Sequence, residues 1–116
     1  MSIEQKPNRQ PLISPLSPPW GELTPESKLT RIVRFVLPDR VISVRAPVLK
    51  RWEHVAGEPE TLTIQAGKEL IVVEGRELNA VRAALDLDRL GELRTNGDRS
   101  KACPGPQVRR ITIEPT

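Results

Sequence analysis

The sequence predicts an α+β fold: a small antiparallel β-sheet of about five strands, curled or barrel-like, packed with one short amphipathic helix and preceded by a disordered proline-rich N-terminal arm. Three observations lead there. Residues 61–65 and 41–46 alternate between two faces, the period of a strand with one side in a core. After Gly75 the period changes, and Leu78, Val81 and Leu85 recur at three and four residues, as on one stripe of a helix. Ahead of these, Pro7, Pro11, Pro15, Pro18, Pro19 and Pro25 remove backbone donors and fix φ, so neither a helix nor a central strand propagates there. The chain therefore divides into a leader over residues 1–27 and a single α+β domain over residues 28–116, with a mobile loop at 94–106. A length of 116 residues leaves no room for a second core.

Taken in order, the leader carries the stretch LISPLSPPW, whose Leu12, Ile13, Leu16 and Trp20 are apolar side chains among prolines. These four are the candidate protein-binding residues, on a polyproline-like arm that touches a partner or its own domain. Trp20 is the residue best suited to dock, because burying an indole removes so much apolar area from water. Residues 30–37 form a first strand with Val33, Phe35 and Leu37 on one face, and 38–40 turn it into a second strand over 41–46. Pro47 stops that ladder, and 47–52 read as one helical turn or as a continued edge strand. Residues 60–65 are a strand, Ala66-Gly67 a turn, and 69–74 a strand apolar on both faces that belongs in the middle of the sheet. Asn79 or the Gly75 turn starts the helix. Leu87, Leu90 and Leu93 continue a spacing of three and read as a second short turn or a helical extension. The stretch 94–106 has turn residues and no apolar period, and 107–114 is a final strand carrying Ile111 and Ile113. One helix cannot cover the whole sheet, so self-association into a homodimer through an open face is a further expectation.

The chemistry is sparse. Lys plus Arg number 18 against 15 Asp plus Glu, a net charge of +3 with both signs interleaved, which reads mainly as a solvated surface. His54 and Cys103 are the single members of their types, so no metal framework and no internal disulfide can be assembled, and neither a metal nor any other cofactor is expected. No Gly-x-Ser-x-Gly elbow and no glycine-rich phosphate loop occurs, and no residue is assigned a catalytic role. Asp86 and Asp88, two apart at the end of the helix, read as terminating and capping residues. The one basic grouping is Arg99, Lys101, Arg109 and Arg110, the candidate nucleic-acid-binding residues. On an edge strand the two arginines also serve to keep another chain from pairing.

The function expected is therefore a small non-catalytic binding or scaffold module that acts on a protein partner. The alternative is sequence-nonspecific nucleic-acid binding along the basic edge. No apolar run is long enough for a membrane span and no secretory pattern opens the chain, so a cytoplasmic location is expected.

Overall fold

The computed structural model describes residues 16–96 and 105–116. The fold is α+β and mostly β, with eight strands in two four-stranded sheets and one helix among the described residues. The strands are β1 (Gly21–Leu23), β2 (Ile32–Val36), β3 (Val41–Arg45), β4 (Leu49–Val55), β5 (Glu60–Ala66), β6 (Glu69–Arg76), β7 (Leu90–Arg94) and β8 (Gln107–Pro115); helix α1 (Asn79–Asp86) lies between β6 and β7. One sheet has the order β1-β7-β2-β3 and the other β4-β5-β6-β8. All pairings are antiparallel except β2 with β7. A 3₁₀ turn at Ala46–Val48 carries the chain from the edge of the first sheet to the edge of the second. No helix among the described residues is long and apolar enough to cross a membrane.

The hairpin of β5 and β6 behaves as its residues dictate. Leu62 and Ile64 face Val73 and Ile71 across the ladder, and all four are buried. Gly67 makes the turn at φ +63°, a conformation that glycine adopts without steric cost. β6 lies between β5 and β8, the central position that its apolar composition implies. Its second face is only half-covered, with Leu70 and Val72 of intermediate exposure beside Gln65, Thr63, Thr112 and Glu114. The helix turns Leu78, Val81, Ala84 and Leu85 inward, where they meet Val33, Phe35, Leu90, Leu93, Val108 and the β5–β6 residues in one core.

Four expectations are corrected. The single sheet of about five strands is two sheets with eight. The stretch carrying Leu90 and Leu93 is not helical: β7 pairs antiparallel with β1 and parallel with β2. Glu22 lies opposite Glu92 but Leu23 opposite Leu90, so Gly91 is an extra residue, and this bulge returns Leu90 and Leu93 to the same buried side. A spacing of three thus mimics a helix inside a strand. The folded part does not begin at residue 28, because β1 and Trp20 fall within the expected leader. Gly21, Glu22 and Leu23 are free of proline and need only a short edge ladder, and Trp20, 5% exposed, belongs to the core. Finally, neither Asn79 nor Gly75 caps the helix. Asn79 Oδ1 accepts from Arg82 instead, and no side chain caps the helix.

Candidate functional site

Glu60 of β5 fixes the turn just before the helix. Its Oε2 accepts the Glu77 N–H at 2.9 Å, and its Oε1 accepts the Leu78 N–H at 3.1 Å and lies 2.8 Å from His54 Nε2. The hydrogen bond from His54 lowers the Glu60 pKa, desolvation works against it, and the Glu77 and Leu78 amides lower it further, leaving the carboxyl below its ordinary 4.5. The sole histidine of the chain is therefore engaged in holding β4 and β5 to the turn before the helix. At the other end of α1, the Trp52 indole N–H donates to Asp86 Oδ1 and Arg82 to Asp86 Oδ2, each at 2.8 Å. The helix then stops in a tight C-terminal turn: Asp88 N–H donates to the Leu85 carbonyl and Arg89 N–H to the Ala84 carbonyl, with Asp88 at φ +57° where glycine is the usual residue.

This stop builds one wall of a groove. The chain between β1 and β2 hooks onto the segment after the helix at both of its ends: Thr24 N–H donates to the Arg89 carbonyl, Arg89 Nε to the Thr24 carbonyl, and Thr30 N–H to the Asp88 carbonyl. The Thr24 and Thr30 hydroxyls close the loop on itself at 2.6 Å. The loop so fixed carries Lys28 and Leu29, and Leu29 is 73% exposed. The opposite wall is the corner between β3 and β4, held by Ala46 N–H on the Arg31 carbonyl at 2.8 Å. Between these walls lies an open groove of about 1100 Å³ lined by Lys28, Arg31, Arg45, Asp88 and the apolar Leu29, Ala46, Pro47 and Leu49. Below it, a slot of about 40 Å³ descends between the sheets to Val33, Trp52, Leu85 and Leu90.

Three cations against one carboxylate leave the rim positive, and none of Lys28, Arg31, Arg45 or Asp88 forms an ion pair among the described residues. Among the described residues the lining contains no His, Cys or Ser, and its one hydroxyl, on Thr30, is tied to Thr24. What the groove can do is hold an anionic group on its rim and seat a small apolar group in the slot. No three His, Cys, Asp or Glu side chains converge as metal ligands among the described residues.

The residues singled out from the sequence fall elsewhere. Leu16 is half-buried and its carbonyl accepts the Leu23 N–H at 2.7 Å, beside β1; Trp20 is in the core and its carbonyl accepts the Arg94 N–H. A buried indole has no face to offer a partner. Leu12, Ile13, Arg99 and Lys101 lie outside the described residues. Arg109 and Arg110 are exposed on β8, Arg109 within 3.9 Å of Glu58 and Arg110 opposite Glu74, so carboxylates stand beside both. Sequence reasoning missed Lys28, Arg31, Arg45 and Asp88. Each is an ordinary surface residue in its own stretch, and what joins them is the packing of the β1–β2 loop, the β3–β4 corner and the helix end, which no local pattern signals. The groove thus has to be read from its own geometry, since the chain matches no protein-family model, no curated protein and no solved structure.

Proposed function

We propose that this chain is a small non-catalytic binding or scaffold module that acts through protein–protein interaction, receiving a short acidic segment of a partner in the groove between the β1–β2 loop and the β3–β4 corner. The observation that carries the reading is the positive rim of Lys28, Arg31 and Arg45, without ion pairs among the described residues, set around an apolar floor. A slot of about 40 Å³ admits a methyl or a small branched side chain but not a lipid tail or an aromatic ring. An extended peptide with acidic residues flanking one small apolar residue satisfies both parts: its carboxylates stay near solvent, where an ion pair costs little desolvation, and its apolar side chain leaves water. The same proposal takes the cytoplasm as its compartment, since a single cysteine gives no internal disulfide to an oxidising one.

The test is selection from a displayed random-peptide library on the wild-type protein, followed by titration of the enriched peptides. The expected peptides pair Asp or Glu with a small apolar residue. Their affinity should fall at least about tenfold in the Arg31→Glu/Arg45→Glu variant and weaken with added salt. Enrichment of neutral or basic sequences, or affinity indifferent to the charge reversal, would overturn the reading. Nucleic-acid binding along β8 is the alternative. Support for it is thinner, because Glu58, Glu74 and Glu114 stand among the arginines there. A titration with mixed-sequence single- and double-stranded nucleic acid at low salt separates the two: binding lost on Arg110→Glu but kept on reversal of the groove would favour the alternative.

A further inference from the structure

β8 is the last strand of its sheet, and beyond its first residues nothing among the described residues pairs with its outer edge. The two ends of that edge are closed. At one, Asn96 Oδ1 accepts the Val108 N–H at 2.6 Å while the Asn96 N–H donates to the Val108 carbonyl at 3.0 Å. At the other, Pro115 has no N–H to give. The phase between them follows from Thr116, whose N–H donates inward to the Lys68 carbonyl at 2.9 Å. Backbone groups alternate sides along a strand, so residues 114, 112 and 110 turn theirs toward β6, and Ile113 and Ile111 turn theirs to the open edge. The side chains alternate as well: Ile111 is buried, whereas Arg110 and Glu114 are exposed on the outer face in line with Glu74 and Leu70. Neither Arg110 nor Glu114 is in an ion pair among the described residues.

We propose that β8 pairs antiparallel with β8 of a second copy of this chain, about a two-fold axis at Thr112. In that register Ile111 faces Ile113 of the second copy, and the outward N–H groups of both residues in both chains find carbonyls. Arg110 comes opposite Glu114 of the second copy, and the symmetry repeats the pair. Neighbouring registers do worse. An axis at Ile113 sets Ile111 against Pro115, which cannot donate; an axis at Ile111 sets Arg110 against Thr112 and leaves both charges without a partner. Bulge, proline and charge commonly keep an edge from pairing. Here the irregular pairing between β6 and β8 at Glu74 and Gly75, together with Pro115, confines the open ladder to a few residues and so fixes its register. Thr116 of the second copy falls opposite Val108, where Asn96 already holds the edge, so the ladder ends there. The product is a continuous eight-stranded sheet joining two molecules, with threonine beside threonine at its centre. The contact is short and its ion pairs are exposed, so the dimer is weak. It involves no residue of the groove, and failure of either proposal leaves the other standing.

Sedimentation equilibrium over rising concentrations to about 1 mM tests it, on the wild type, Arg110→Glu, Glu114→Arg and the combined swap. Wild type should dimerise; each single reversal sets like charges opposite one another twice and should weaken the dimer at least about tenfold; the swap should restore it. A wild type that stays monomeric, a dimer indifferent to the single reversals, or a swap no better than they are would overturn the proposal. The register has its own readout. Thr112 and its copy form a non-hydrogen-bonded pair with Cα atoms about 4.5 Å apart, within disulfide reach. In a Cys103→Ser background, Thr112→Cys should oxidise to a covalent dimer and Ser43→Cys, on β3, should not. Equal cross-linking of the two, or none at position 112, would overturn the register.

Discussion

Glu60 shows how much one side chain can hold. A helix begins with amide hydrogens that have no partner within the helix, and the usual remedy is a Ser, Thr, Asp or Asn immediately before it. Here the position is Leu78, whose side chain offers no acceptor, and a carboxylate from β5 instead fixes the turn just before the helix by accepting the Glu77 and Leu78 amides. That solution is invisible in the sequence, because it depends on a contact 17 and 18 residues away in the chain. The same limit hid the groove, whose lysine and arginines meet only through tertiary packing, whereas the residues that did stand out by composition were Trp20, spent in the core, and Arg109, near Glu58. Because the folded state holds the Glu60 carboxyl below its ordinary 4.5, the unfolded chain binds a proton more readily. The stabilisation from this group is therefore complete above pH 4.5 and is lost as the pH falls through the lower folded value. Acid titration of the thermal midpoint should show this: Glu60→Gln lowers the midpoint at neutral pH and flattens the acid limb, and an unchanged limb would mean that the carboxylate does not hold the turn before the helix.

Among the elements, the hairpin of β5 and β6 and the helix after it were legible, since their side-chain periods are long and uninterrupted. β7 was not, because one inserted glycine shifts the phase of a strand by a residue and turns alternation into a spacing of three. β1 was masked by the prolines around it. A related irregularity sits between β6 and β8, where the register shifts at Glu74 and Gly75. A Cβ placed on Gly75 would lie 1.8 Å from the Gln107 carbonyl oxygen, and that atom is backbone that cannot rotate away. Gly75→Ala should force β8 off β6 at its first residues. The expected cost is at least about 2 kcal/mol, of the order of other overpacked core positions, read as a lower denaturation midpoint. A variant as stable as wild type would mean that β8 begins beyond this point.

At the scale of the molecule, the two sheets share one core, and Trp20 is part of it although it comes from the shortest strand region. An arm read as disordered to residue 27 implies that Trp20 can be lost without consequence. The buried indole implies the reverse: Trp20→Ala should destabilise the protein by about 3–5 kcal/mol, and a thermal midpoint close to wild type would return the residue to the arm. The pairing of β1 with β7 has a bearing on how the chain is made. Gly21 lies opposite Leu93, so the edge of the first sheet waits for a partner 72 residues later. At ordinary rates of translation that wait is roughly 4–14 s. In that interval β2 and β3 can form their hairpin and β5 and β6 theirs, but Val33 and Phe35 have neither β7 nor α1 to cover them. Leaving the ribosome, the nascent chain carries an uncovered apolar hairpin until the segments that form α1 and β7 have followed it out.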